Sequence, residues 1–194
     1  MSSFVTNNLS DISPDANDFS AATRLLVLVF GFLFVMLLSH DVMSSEISSK
    51  TIRLLLSKTS RATIIMGKFI GVSLFWLFCI GISITVISLF SNSLLWLTFL
   101  QLYSFILFAI GCCLLISTVC RSTSTSLVVA LTISFVVPIL GFWSMFSEKV
   151  WAKPIKLILP YSYQIKEDIL LAVPVLISLG FVYLSNVYFK RGDY

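Results

Sequence analysis

Five apolar runs, each about twenty residues long, constrain this chain more than any other feature of its sequence; the first contains LLVLVFGFLFVMLL. About twenty such residues in a helix are needed to cross a hydrocarbon core of ~30 Å. In lipid the backbone must satisfy its own hydrogen bonds, so only helices and closed barrels span it. Barrel strands alternate apolar and polar residues over about ten positions, and these runs do not alternate. The sequence therefore predicts an all-α membrane protein.

The predicted spans cover about residues 22–39, 69–90, 95–118, 126–146 and 169–189. Because 58% of the residues are hydrophobic and only 11% are charged, the chain has too little polar surface for a soluble core. We therefore predict one transmembrane domain over residues 1–194. Three hydrophilic segments lie outside the spans, namely a polar tail at 1–21, a loop at 40–68 and a second loop at 147–168.

Basic residues predict the orientation of the spans. With five spans, one side of the membrane holds eight of the 13 lysines and arginines, Lys50, Arg53, Lys58, Arg61, Lys68, Arg121, Lys190 and Arg191. Cytoplasmic loops carry an excess of Lys and Arg, and the tail before Arg24 is acidic. We expect a multi-pass protein of the cell (inner) membrane. Its N-terminus lies outside, and its C-terminus and loop 40–68 lie in the cytoplasm. Loop 147–168 is expected to form short interfacial pieces on the outer surface.

Loop 40–68 is the most informative segment. It lacks glycine and proline from Val42 to Met66, so a helix can continue through it. Glu46 and Lys50 are four residues apart in the order that favours a helical ion pair, and Arg53 follows. An apolar stripe at helical spacing accompanies them. This pattern predicts one short amphipathic helix, which either rests on the lipid surface or contacts a partner protein.

The same loop resembles the cytoplasmic coupling region of the ABC type-2 transporter permeases. The residues that carry the resemblance are Glu46, Thr51, Leu54, Leu55, Leu56, Ser57, Lys58, Arg61, Gly67 and Lys68. The LPYSY segment at 159–163 and the tail YFKRGDY are also similar to that family. The chain departs from the pattern at Lys50, where the family has glycine, and at Thr59, near the place of a proline in a turn that is one residue shorter here.

The resemblance implies a permease subunit of an ATP-driven exporter, which forms the translocation path as a dimer with a second or paralogous permease copy. It implies ATPase-coupling residues Glu46, Lys50, Thr51, Arg53, Ser57, Lys58 and Arg61. ATP and magnesium would bind two copies of a partner ABC ATPase, since this chain contains no G-x-x-x-x-G-K-[ST] motif. By analogy the substrate is amphipathic, such as a peptide antibiotic, a drug or a lipid-linked compound.

The resemblance covers roughly residues 20–194 and leaves out the first of the six spans that the family normally has. We therefore expect either a naturally five-spanned permease or a further membrane chain that supplies the sixth helix. Polar residues within the predicted spans are candidates for lining a path, although serine and threonine also tolerate lipid by bonding to their own helix. These candidates are Ser83, Thr85, Gln101, Ser104, Thr132 and Ser134.

Other function classes receive less support. A non-transporting membrane scaffold or sensor that docks an ATPase is the main alternative. An intramembrane enzyme is a further alternative, but the chain has one histidine, His40, and neither H-E-x-x-H nor G-x-S-x-G. We predict no catalytic, cofactor-binding or metal-binding residue. The net charge of +4 needs no nucleic-acid partner, because loop charge asymmetry accounts for it. Gly67 and Gly71 form G-x-x-x-G, a spacing that permits close helix packing.

Overall fold

The computed structural model describes residues 25–91, 96–120, 122–147, 155–156, 158–163 and 172–191, and this part of the chain is helical without strands. A π-helical turn, Val27–Gly31, continues into α1 (Phe32–Ser39). The other helices are α2 (Ser44–Ser48), α3 (Ile52–Leu56), α4 (Arg61–Ser91), α5 (Trp96–Val119), α6 (Thr123–Phe146) and α7 (Ala172–Arg191). Five helices are long and apolar enough to cross a membrane, which confirms the all-α class and the predicted spans.

The span boundaries that lie among the described residues agree closely with the prediction except at α4, while the predicted starts at 22 and 169 lie outside those residues. This helix begins at Arg61, eight residues before the predicted start at Phe69, because hydropathy marks the apolar part of a helix and not its first turn. The tail 1–21 and most of loop 147–168 lie outside the described residues.

Helix α5 is the centre of the bundle and packs against α1, α4, α6 and α7. Most of its residues are buried, whereas about half of those on α4 are exposed and few are buried. Aromatic contacts join α5 to α1, with the Phe32 ring centroid 6.4 Å from that of Phe105 and 6.3 Å from that of Phe108. The apolar surface of α5 is thus covered by the chain itself.

Helices α5 and α7 pack side by side in the same direction, through small polar side chains. Ser178 Oγ donates to the carbonyl of Leu107 at 2.7 Å, and the hydroxyls of Thr118 and Ser185 are 2.6 Å apart. A Cβ atom at Gly111 would lie 2.9 Å from the carbonyl oxygen of Ser178, so the absence of a side chain there permits the close approach. Small residues allow membrane helices to pack in this way.

The segment containing LPYSY packs against the bundle at the end that contains Leu28 and Gly141. Tyr161, in the 3₁₀ turn Pro160–Tyr163, is fully buried and donates its hydroxyl to the carbonyl of Leu28 at 3.3 Å. Its ring occupies the space over Gly141, where a Cβ would come within 2.3 Å of it. Tyr161 of the loop expected to lie on the outer surface is therefore packed inside the chain, because a space beside Gly141 accepts the ring.

Candidate functional site

The segment between the first two spans, residues 40–60, forms two short helices and not one. We call this segment the connector. Helices α2 and α3 are separated by Lys50, which has a φ of 59° and is the one non-glycine residue with positive φ in the described part of the chain. A residue in the left-handed region interrupts a right-handed helix. The predicted single amphipathic helix is therefore wrong, although the helical content on either side of Lys50 was expected.

The start of the connector is fixed to the bundle by serine side chains. Ser117 Oγ on α5 accepts hydrogen bonds from the backbone N–H groups of Met43 at 2.9 Å and Ser44 at 3.0 Å. Ser126 Oγ on α6 donates to the carbonyl of His40 at 2.5 Å. Helices α5 and α6 thus supply hydrogen-bond partners for backbone groups near the first turn of α2 that have none within that helix. These contacts fix the direction in which the connector leaves the bundle.

Glu46 on α2 pairs with α4 and not with its own helix. Its Oε1 lies 2.8 Å from Lys68 Nζ, and the two side chains are 29% and 20% exposed. Lys68 also donates to the carbonyl of Val42. The predicted Glu46–Lys50 pair is wrong, because α2 ends at Ser48 and the turn at Lys50 destroys the helical spacing on which that pair depends.

Arg61 is directed into the bundle. Its Nη1 donates to the carbonyls of Phe189 at 2.7 Å and Lys190 at 3.1 Å, and its guanidinium lies 5.6 Å from the ring centroid of Phe189. A cation at the last carbonyls of a helix is favourable because it satisfies acceptors that have no helical partner. The guanidinium thus joins the first turn of α4 to the end of α7.

The remaining predicted coupling residues lie on the surface of the connector. Lys50, Thr51, Arg53, Ser57 and Lys58 are all exposed, and Leu54 between them is 70% exposed. The hydroxyl of Thr51 lies 2.7 Å from that of Ser49, and Ser57 Oγ donates to the carbonyl of Leu54 at 2.8 Å.

We call Lys50, Arg53, Leu54 and Lys58 the exposed face of the connector. It consists of three exposed cations and an exposed leucine, while the connector acids Asp41 and Glu46 are half-buried. A surface of this kind is complementary to an acidic surface with an apolar pocket.

The six candidate path-lining residues fall into two groups. Gln101, Ser104 and Ser134 are buried within the chain, whereas Ser83, Thr85 and Thr132 are exposed. The exposed hydroxyls donate to their own helices, to the carbonyls of Cys79, Gly81 and Val128 respectively, as hydroxyls facing lipid also do. Ser83 and Thr85 are two residues apart, so they face nearly opposite sides of α4. One path cannot be lined by both within a single chain.

Two residues of the site, Lys68 and Ser117, were not predicted to contact the connector. Lys68 was noted only as part of the Gly67–Lys68 pattern, although its position two turns into α4 places it within reach of a preceding helix. Ser117 lies at the end of an apolar span, where a lone serine gives little signal. Both contacts join segments that are distant in sequence.

A family model described as ABC-2 family transporter protein matches residues 5–174 of this sequence. The match includes the connector and four of the five spans. No curated protein and no solved structure matches the chain.

Proposed function

This chain belongs to the ABC-2 family of transporter proteins, and we propose that it is the permease subunit of an ATP-driven exporter whose connector docks on a separate ABC ATPase. As a member of that family it is a multi-pass membrane transport protein that works with an ABC ATPase. ATP and magnesium would bind the partner. Docking through the connector, export as the direction of transport and an amphipathic substrate are the further parts of the proposal.

The observation that carries the proposal is the exposed face of the connector. Leu54 is 70% exposed, and three exposed cations, Lys50, Arg53 and Lys58, lie within four residues of it in the sequence. Glu46 and Arg61 are engaged inside the chain, so docking would depend on Lys50, Arg53, Leu54 and Lys58. Arginine is enriched among the side chains that contribute most to binding when a partner pocket desolvates them, so Arg53 is the residue of this face expected to matter most.

The proposal includes a dimer of permeases with two ATPase subunits. In the described part of the chain four spans pack around a buried α5, and Phe105, Phe108 and Leu102 fill the middle, which leaves no room for a path there. A path would therefore lie between two copies. Exposed polar residues such as Ser83 or Thr132 could then face it, among the exposed aromatic residues Phe75, Phe78 and Phe135, and such a surface suits an amphipathic molecule.

The first test reverses charge on the exposed face. Reversing one partner of a desolvated charge pair costs on the order of 2–5 kcal/mol, so Arg53→Glu should remove the ATPase that copurifies with the tagged chain from its host in mild detergent. ATP hydrolysis in the purified complex should fall with it. Lys190→Glu is the matched control, because Lys190 is exposed at the end of α7 nearest Arg61 but lies outside the connector.

Two results would contradict docking through this face. One is normal ATPase recovery with Arg53→Glu at unchanged membrane abundance, which would show that the connector rests on lipid headgroups. The other is equal loss with Arg53→Glu and Lys190→Glu, which would show a general dependence on basic charge.

A further inference from the structure

We propose that Lys68 is a positioning residue that transmits displacement of the connector to α4, by holding Glu46 and the carbonyl of Val42 at the same time. This inference rests on the proposed function, since an ATPase that moves the connector is its premise. Lys68 itself would not contact the ATPase.

Lys68 holds the connector at two points. Its ammonium group pairs with the Glu46 carboxylate at 2.8 Å and donates to the carbonyl of Val42, which precedes α2. Glu46 lies within α2. One side chain of α4 therefore grips the connector both before and inside α2, so α2 cannot tilt away from α4 without breaking a charge-assisted contact. Such contacts are stronger than neutral hydrogen bonds.

The shielding of this pair favours a role in transmission over a role in docking. Lys68 is 20% exposed and Glu46 is 29% exposed, and Glu46 Oε2 is shielded from solvent and has no hydrogen-bond partner among the residues that the structure describes. By contrast, Arg53 and Lys58 are exposed. The connector thus presents one set of charges outward and holds another against α4.

Helix α4 is suited to carry the displacement onward. It is a single helix of 31 residues, Arg61–Ser91, so movement of its first turns is carried along its length. Three helices hold the connector, namely α4 through Lys68, α5 through Ser117 and α6 through Ser126. Of these, α4 has the smallest share of residues buried inside the chain, so its packing opposes movement least.

Arg61 extends the same link to α7. It lies seven residues before Lys68, on the same face of α4, and donates to the carbonyls at the end of α7. Lys68 and Arg61 together place the connector, α4 and the end of α7 in one chain of contacts. We infer that these three elements move together when the connector moves.

The test separates transmission from docking. ATP hydrolysis by the copurifying ATPase is measured against permease concentration for Glu46→Gln, Lys68→Gln and Arg53→Gln. Both Lys68→Gln and Glu46→Gln should lower maximal stimulation about fivefold or more, with little change in the half-saturating permease concentration. Arg53→Gln should raise the half-saturating concentration. The conservative Lys68→Arg keeps a donor for both contacts and should recover much of the stimulation, whereas the exchanged pair Glu46→Lys with Lys68→Glu should recover only part, because a carboxylate at position 68 cannot donate to the Val42 carbonyl.

A shift in half-saturating concentration with Lys68→Gln, at unchanged maximal stimulation, would overturn the inference and make Lys68 a docking contact. Absence of stimulation by the wild-type chain would instead refute the proposed function. The contact between Glu46 and Lys68 can still be tested without the ATPase. Hydrogen–deuterium exchange of the connector amides is measured in Glu46→Gln, in Lys68→Gln and in the variant that carries both changes. Effects that are fully additive would show that Glu46 and Lys68 are not coupled.

Discussion

Lys50 shows how one backbone angle shapes the connector. Its φ of 59° ends one helical turn and allows Ile52–Leu56 to begin another in a new direction. A side chain in the left-handed region costs roughly 1–2 kcal/mol, a cost that glycine avoids. Glycine stands at this place in the permeases that the loop resembles, so the geometry agrees with the family pattern while the residue does not.

We therefore expect Lys50→Gly to stabilise the connector by about 1 kcal/mol. Hydrogen–deuterium exchange of amides 52–56 would measure this as slower exchange. Ser48→Gly is the control, since Ser48 is in α2 and glycine within a helix costs roughly 0.5–1 kcal/mol. Faster exchange in Lys50→Gly than in the wild type would show that the lysine side chain contributes more to the connector than its backbone conformation costs.

At the scale of elements, the contact between α5 and α7 depends on where small residues face. Gly111 lies against the backbone of Ser178, whereas a Cβ at Gly67 or Gly71 would meet nothing within 4 Å. The G-x-x-x-G pattern of the latter pair therefore makes no close helix contact within the described chain. A small residue permits close packing only where another helix is present, and spacing alone does not report that.

Gly111→Ala should lower the thermal stability of the purified protein in detergent. Its Cβ would be 2.7 Å from Ser178 Oγ and 2.9 Å from the Ser178 carbonyl oxygen, and such overpacking typically costs about 1–3 kcal/mol. Gly67→Ala is the matched control and should leave the melting temperature unchanged or raise it, because alanine favours a helix. Equal destabilisation by both substitutions would mean that the α5–α7 contact is not the cause.

The sequence predicts local features of this fold but not the contacts between segments that are distant in sequence. The five spans could be predicted because hydropathy is a local property of each run. The exposure of Arg53 and Lys58 could be predicted because charged residues in a short loop have few places to be buried. The partner of Glu46 could not be predicted from the sequence, since Lys68 lies 22 residues later on another helix. The burial of Tyr161 could not be predicted either, because it depends on a space beside Gly141 that forms only when α6 and the 3₁₀ turn meet.

At the scale of the whole molecule, the orientation in the membrane remains a prediction from charge. Labelling of single cysteines tests it, in a background in which Cys79, Cys112, Cys113 and Cys120 are replaced. A membrane-impermeant thiol reagent on intact cells should label cysteine at position 13 and leave positions 57 and 192 unlabelled, because loops rich in Lys and Arg stay in the cytoplasm. Labelling at 57 but not at 13 would reverse the orientation.

The hydrogen bond from Tyr161 to Leu28 spans 133 positions of the sequence, and this has a consequence for biogenesis. Since a ribosome adds residues in order, α1 enters the bilayer long before Tyr161 exists. During that interval the space over Gly141 has no ring to fill it, and the first helix has only part of its final packing. The packing at this end can therefore be completed only after residue 161 has been synthesised, when the segments that form α1 to α6 have already been made.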